Sequence, residues 1–193
     1  MSKKSQAIIF VGMPGSGKSS CVEYLKKKGF PVLYFGGIVL DEVKKRGLEL
    51  NEDNEKSVRE DLRAKEGKGV LALKIIAEAE NLFTKGYRYV IIDGLYSWTE
   101  YKIFKEMLEE RAIIIGVIAP RAVRHQRLAN RAVRPFKEKD AEQRDYDEIE
   151  GVEKGGPIAN ADYYLANETN LDELEKDLDK LLSEIGVSIG QLI

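Results

Sequence analysis

The sequence lacks most of the features that mark secreted, membrane-embedded or nucleic-acid-binding proteins. Its 193 residues include one cysteine, Cys21, so no internal disulfide can form, which suits a reducing cytoplasm. No apolar run reaches the length of a membrane span, and the run before Gly12 is too short for the core of a signal peptide. The formal net charge of -2 gives no reason to expect nucleic acid or an anionic membrane as a partner. We therefore expect a cytoplasmic protein that binds neither nucleic acid nor membranes.

Apolar runs alternate with helical patterns along the chain, and no internal repeat or long linker interrupts them. The predicted strands cover residues 7–11, 31–35, 89–92, 113–118 and 163–165. The predicted helices cover residues 19–28, 39–46, 55–66, 70–85, about 97–110 and 171–185, and residues 136–157 are ambiguous. This order predicts one α/β domain over residues 1–193, with a parallel sheet and helices on both faces. Ligands of such sheets bind at the carboxyl ends of the strands.

A phosphate-binding loop follows the first predicted strand. The pattern G-x-x-x-x-G-K-[ST] is matched in full between a strand and a helix, whereas a chance glycine-rich turn would not need that context. The residues expected to bind ATP are Gly12, Met13, Pro14, Gly15, Ser16, Gly17, Lys18, Ser19 and Ser20. Backbone N–H groups of the loop and the helix N-terminus form an anion site. Lys18 supplies a charge for the β- and γ-phosphates, and the hydroxyl of Ser19 is expected to bind Mg²⁺.

An acidic residue ends the third predicted strand. Asp93 follows the apolar run 89–92 and precedes Gly94. In proteins with a phosphate loop, an Asp at this place orients Mg²⁺. It could also act as a base toward an acceptor, or only cap the next turn. We expect Asp93 to be a catalytic and metal-binding residue.

Arginines are concentrated in one segment after the fourth predicted strand. Four of them fall on one side of a helix, and no Asp or Glu occurs between Ala112 and Lys137 to neutralise them locally. The arginines of this segment are Arg121, Arg124, Arg127, Arg131 and Arg134, of which Arg121 lies off the stripe. Arg suits the charge that develops on a transferring phosphoryl group. We expect Arg127 and Arg131 to be catalytic; the alternatives are a solvated face or pairing with distant acids.

Arg59 and Arg63 form a second pair, one helical turn apart. Acidic neighbours such as Glu55 and Glu66 could neutralise them on an exposed helix. The alternative, which we carry forward, is that both arginines bind a phosphate of the acceptor.

At these residues the sequence resembles the nucleoside-monophosphate-kinase group of phosphate-loop proteins, and within it archaeal adenylate-kinase-related proteins and dephospho-coenzyme A kinase. The motifs that carry the resemblance are Gly12–Ser19, Arg46–Leu48, Val58–Arg63, Ile92–Gly94, Arg127-Leu128, Arg144-Asp145 and Ala161–Tyr163. The resemblance implies a three-layer P-loop NTPase fold with strand order 2-3-1-4-5, an acceptor-binding helical region at 37–85 and a lid at 121–150. It also implies that Arg127, Arg131 and Arg144 close over the phosphates, with adenine near residues 167–169.

Two departures from the resembled kinases concern the acceptor side. Those kinases carry Asp where this chain has Gly37, and Arg where it has Leu95, Tyr96 and Ser97. Tyr96 and Trp98 could instead wall a different acceptor, or serve only in packing. We expect an ATP- and Mg²⁺-dependent kinase for a small nucleotide-like phosphate acceptor. The alternative is an ATP-binding switch with slow hydrolysis, whose lid closure is read by a partner protein.

Overall fold

A parallel sheet of five strands forms the centre of the protein in the computed structural model, which describes residues 4–131 and 135–188. The strands are β1 (Gln6–Val11), β2 (Val32–Tyr34), β3 (Tyr89–Asp93), β4 (Ala112–Ile118) and β5 (Tyr163–Ala166). The helices within these ranges are α1 (Lys18–Lys27), α2 (Phe35–Lys45), α3 (Glu52–Glu66), α4 (Val70–Thr84), α5 (Trp98–Leu108), α6 (Arg121–Ala129), α7 (Glu138–Tyr146), α8 (Gly155–Ala159) and α9 (Leu171–Glu184). None of these helices combines the length and apolar character needed to cross a bilayer.

The strand order is β2-β3-β1-β4-β5, which confirms the predicted order. Strand β1 is central, since Ala7 is in register with Val90 of β3 and with Ala112 of β4. Neighbours of β1 therefore lie on both of its sides, and the loops after β1, β3 and β4 meet at the carboxyl edge of the sheet.

Two hydrophobic cores cover the two faces of the sheet, which explains why its central strands are continuous apolar runs. Residues 7–11 of β1 are completely buried and alternate between the cores. Ile9 belongs to the core that contains side chains from α2, α3, α4 and α5, whereas Ile8 belongs to the core that contains side chains from α1 and α9. The three-layer α/β fold predicted from the sequence is confirmed.

The sequence placed most element boundaries within a few residues, and two regions differ. Helix α2 begins at Phe35, whereas the sequence predicted a start at Val39. The predicted start was too late because Gly36 and Gly37, which are weak helix formers, lie in the first turn of the helix. The ambiguous region 136–157 contains α7, a π-helical turn at Asp147–Gly151 and α8.

The second core depends on α9, so truncation of a buried leucine there should destabilise the whole protein. Leu178 is completely buried, and Leu178→Ala should lower the free energy of unfolding by about 2–5 kcal/mol. Leu171 at the start of the same helix is 51% exposed, and Leu171→Ala should change it by less than about 0.5 kcal/mol. Urea unfolding of both variants measures the difference. Equal effects would show that α9 does not complete this core.

Candidate active site at the carboxyl edge of the sheet

The phosphate loop connects β1 to α1 in the conformation that its glycines permit. Gly15 and Gly17 have φ values of 79° and 102°, which residues with a Cβ rarely adopt. The N–H of Ser16 donates to the carbonyl of Met13 at 3.0 Å and closes the turn. Helix α1 begins at Lys18, so the N–H groups of its first turn lack acceptors within the helix. This arrangement is suited to bind an anion.

Two later segments of the chain, one containing Arg124 and the other Asn167, pack against the phosphate loop. A Cβ at Gly15 would lie 2.6 Å from the carbonyl oxygen of Arg124, and a Cβ at Gly17 would lie 2.0 Å from Nδ2 of Asn167. That amide nitrogen donates to the carbonyl of Ser16 at 2.8 Å. Arg124 Nη1 donates to the carbonyl of Pro14 at 3.1 Å. The glycines therefore serve close packing as well as backbone conformation.

Lys18 and Asp93, predicted separately as catalytic residues, contact each other. Lys18 Nζ donates to Asp93 Oδ1 in an ion pair whose two side chains are each less than one fifth exposed. The contact forms because β1 and β3 are adjacent, with Phe10 opposite Asp93 in the sheet. A phosphate or a cation that entered between the two side chains would replace this contact.

The described residues fit an ATP site that includes Mg²⁺. Ser19 is exposed in the first turn of α1, and Asp93 ends the neighbouring strand. No group of three or more His, Cys, Asp or Glu side chains in the described ranges could hold a metal ion alone. Mg²⁺ is usually bound by one or two protein ligands together with water and substrate phosphates. The roles of Ser19 and Asp93 toward the metal remain predictions.

The arginine stripe is partly neutralised by acids that are distant in sequence. Arg124 is buried and forms a bidentate ion pair with Asp145. Its Nη1 and Nη2 donate to the two carboxylate oxygens at 2.7 and 2.8 Å. His125 Nε2 lies 2.9 Å from the same carboxylate, and the histidine side chain is largely buried. Arg121 pairs with Glu142 of α7 at 2.5 Å. Pairing with distant acids, left open by the sequence, accounts for these two arginines.

Arg127 binds the segment that follows β5. Its guanidinium donates to the carbonyl oxygens of Asn167 and Thr169 and to Oδ1 of Asn167, at 3.0 to 3.2 Å. Asn167 in turn donates to the phosphate loop, so Arg127 is connected to the loop through Asn167. This is the place where the resemblance puts adenine. The catalytic role of Arg127 remains a prediction.

Arg131 is exposed, and no acid in the described part of the chain pairs with it. Among the stripe residues described, it is therefore the guanidinium free to approach a phosphate. Arg134 and two neighbouring residues of the predicted lid lie outside the described residues.

Arg59 belongs to α3 and is half-buried. It lies near Tyr34 and Tyr96, and its charge lowers the pKa of both phenols, although burial and neighbouring groups leave each pKa raised overall. No carboxylate among the described side chains pairs with Arg59. The helix does carry salt bridges elsewhere, since Asp61 pairs with Lys65 and Arg46, and a role of Arg59 in binding the acceptor remains a prediction.

Arg63 is instead tied to α5. Its Nη2 donates to Glu100 Oε1 at 3.1 Å, and Glu100 is completely buried. The other oxygen of Glu100 accepts from the N–H groups of Tyr96 and Ser97, while Ser97 caps the helix as expected. Arg63 thus supports the turn after Asp93, and binding of an acceptor phosphate by this residue stays a prediction.

A depression of about 620 Å³ lies at the opposite edge of the sheet, away from these residues. Lys105 and Asp162 line it and pair with each other at 2.7 Å. Asp162 also accepts from the N–H of Ile114. These contacts join β4 to the loop before β5, so their role is structural.

The buried pair of Arg124 and Asp145 should make stability depend on pH. Burial alone would raise the pKa of Asp145, but hydrogen bonds from Arg124 and His125 outweigh it and lower the pKa. Asp145→Asn should destabilise the protein by about 3 kcal/mol at neutral pH. The exposed pair of Arg121 is the control, and Glu142→Gln should cost less than about 1 kcal/mol. Urea unfolding measures both.

The sign of the pH effect follows from the lowered pKa. A carboxyl group with a lowered pKa in the fold stabilises it above its unfolded pKa and loses this effect as the pH falls through the folded pKa. The difference between wild type and Asp145→Asn should therefore shrink below about pH 4. A difference that stayed constant down to about pH 2 would contradict the ion pair.

Comparison with known proteins agrees with the fold. A model of the family described as "AAA domain" matches residues 8–150. UPF0200 protein TK1334 of Thermococcus kodakarensis is 40% identical over 182 residues, which cover 92% of this chain and 97% of that protein.

Two solved kinases share the fold. A shikimate kinase from Acinetobacter baumannii, in complex with shikimate, has a TM-score of 0.55 at 19% identity and covers 94% of this chain and 93% of its own. Dephospho-CoA kinase from Campylobacter jejuni has a TM-score of 0.55 at 14% identity, covering 94% and 97%. At these identities the likeness shows the fold alone. The chain thus has the fold of phosphate-loop small-molecule kinases and belongs to the UPF0200 family, with an AAA domain over residues 8–150.

Proposed function

We propose that the protein is an ATP-dependent phosphotransferase that acts on a small nucleotide or nucleotide-like acceptor, of the nucleoside monophosphate or dephospho-coenzyme A type. The observation that carries the proposal is the contact of Lys18 with Asp93 beside the phosphate loop. The contact brings together a lysine that would bind the phosphates and a carboxylate that would serve the metal or the acceptor.

The loop and its neighbours would bind the triphosphate mainly through fixed dipoles and charges. The N–H groups of the loop and the first turn of α1 would surround the β-phosphate, and Lys18 would bridge to the γ-phosphate. Ser19 and Asp93 would hold Mg²⁺, which, when bound, neutralises charge on the β- and γ-oxygens. Arg131 would approach from the lid. Such a site accelerates transfer by positioning and electrostatic stabilisation.

The acceptor would bind between α3 and the ends of β2 and β3. Arg59 lies there within electrostatic range of the phenols of Tyr34 and Tyr96, and no described carboxylate pairs with it. Besides burial, the charge of Asp93 raises the pKa of both phenols, which supports a role for this carboxylate toward an acceptor bound beside them. A phosphate or another anionic group of the acceptor suits Arg59.

A switch that binds ATP and hydrolyses it slowly is the second candidate. The observation that favours it is the acceptor side: Gly37 stands where the resembled kinases carry an Asp, and Leu95, Tyr96 and Ser97 stand where they carry an Arg. Leu95 is almost completely buried and cannot bind an acceptor.

Acceptor-dependent formation of ADP separates these two functions. We expect ADP to form in proportion to added acceptor when nucleoside monophosphates, nucleosides and dephospho-coenzyme A are screened with MgATP. Lys18→Ala should abolish this turnover and weaken ATP binding, since it removes the charge at the β- and γ-phosphates. Lys26→Ala, on the exposed side of the same helix, should behave like wild type. ADP formation that no acceptor stimulates would favour the switch.

Arg131 should matter for the rate of phosphoryl transfer. Arg131→Lys keeps the charge but loses the planar, forked donor, and we expect transfer to slow tenfold or more, about 1.4 kcal/mol of barrier. Arg121→Lys is the matched control, because Arg121 is paired with Glu142 on the protein surface. Single-turnover kinetics measure the step directly. Equally small effects at both positions would reduce Arg131 to a solvated surface residue.

A further inference from the structure

A buried ion pair lies at the end of the predicted lid, and none of the roles above includes it. Lys154 contacts Glu148 through its ammonium group, and the two side chains are 5% and 6% exposed. Arg144 Nη2 donates to the other oxygen of Glu148 at 2.8 Å. One carboxylate therefore contacts two basic side chains.

The backbone around this pair is unusual. Glu148 lies in the π-helical turn Asp147–Gly151, and Glu153 has a φ of 60° although it is not glycine. The N–H of Lys154 donates to the carbonyl of Glu148 at 3.0 Å, so the residue after the turn is hydrogen-bonded to a residue inside it. Turns of this kind and residues in the left-handed region occur frequently at functional sites.

The pair also contacts the turn that carries Asp93. Lys154 Nζ lies 4.6 Å from the centre of the Tyr96 ring, a favourable contact of a cation with an aromatic face. The Tyr96 ring in turn covers Gly94, where a Cβ would lie 3.0 Å from a ring carbon. Asp93 immediately precedes Gly94 and contacts Lys18. A continuous series of contacts therefore runs from Glu148 to the phosphate-loop lysine.

Stability alone does not explain a lysine at this position. Removing two charges from water is costly, and apolar residues of the same size often give equal or greater stability than a buried ion pair. Burial lowers the pKa of Lys154, against the opposing effect of Glu148, and the charge of Lys18 lowers it further. The ammonium group of Lys154 therefore lies in a buried environment within electrostatic range of Lys18.

We propose that Lys154 is a positioning residue that holds Tyr96 against the Asp93–Gly94 turn, so that residues 144–156 and the Lys18–Asp93 pair respond together when MgATP binds. This inference rests on the ATP site of the proposed function. The response of residues 144–156 to MgATP does not require that any acceptor be phosphorylated.

The protein contains its own reporter for this response. Trp98 is the only tryptophan, and its ring stacks on Tyr101 with centroids 4.7 Å apart. Gly156, two residues after Lys154, lies against the same indole, since a Cβ there would be 2.8 Å from it. A shift of residues 154–156 must therefore change the surroundings of Trp98.

The experiment compares wild type with Lys154→Met, Lys154→Arg and Lys105→Met. Lys105 is also ion-paired, with Asp162 at the opposite edge of the sheet, and serves as the control. We expect MgATP to change the Trp98 emission of wild type and Lys105→Met, and not that of Lys154→Met, although its affinity for MgATP stays within about threefold of wild type. Lys154→Arg, which retains the cation, should restore at least part of the response.

With the acceptor identified by the screen above, Lys154→Met should lower kcat about tenfold or more and leave KM for ATP nearly unchanged. If urea unfolding shows that Lys154→Met is not folded, Glu148→Gln takes its place in the experiment. Glu148→Gln removes the charge that holds Lys154, so the same losses are expected.

A normal Trp98 response and normal kcat in a folded variant would overturn the proposal. If wild type binds MgATP but phosphorylates nothing, the proposed function fails, and the Trp98 response alone decides this inference.

Discussion

The close packing of the phosphate loop against two later segments is the constraint on which the rest of the site depends. The carbonyl of Arg124 and the amide of Asn167 lie where Cβ atoms at Gly15 and Gly17 would be. The same two residues donate to carbonyl oxygens of the loop. These contacts hold the loop in one conformation, which is the kind of preorganisation that the proposed phosphoryl transfer would require. It also means that α6 and the end of β5 cannot move without affecting the loop.

The sheet and the phosphate loop could be predicted because their signals are local. Continuous apolar runs such as residues 7–11 predict strands that are buried on both faces, and the structure confirms this. The motif ending at Lys18 is a fixed spacing between a strand and a helix. Asp93 follows the same logic, since a carboxylate at the end of a buried strand lies at the ligand-binding edge of a parallel sheet.

The partners of the arginines could not be predicted, because the pairing is long-range. Arg124 and Asp145 are 21 residues apart and meet only after α6 and α7 have packed. Arg63 and Glu100 belong to different helices that the sequence gives no reason to pair. Lys154 follows a π-helical turn, which has no periodic signature, so the charged stretch 136–157 could be interpreted only as ambiguous. The arginines of the stripe have different surroundings in the structure. Arg124 donates to the phosphate loop, Arg127 donates to the segment after β5, and Arg131 is exposed.

Backbone amide resonances titrated with MgATP test the central claim most directly, namely that the loop after β1 binds the phosphates. We expect the largest changes in ¹⁵N–¹H spectra at residues 12–20, with smaller changes at Asp93 and around Asn167, because loop N–H groups would donate to the β-phosphate. Lys18→Ala should reduce these changes at the same ATP concentration. Unchanged amides at 12–20, with the largest changes instead beside Lys105 and Asp162 at the opposite edge, would contradict this account.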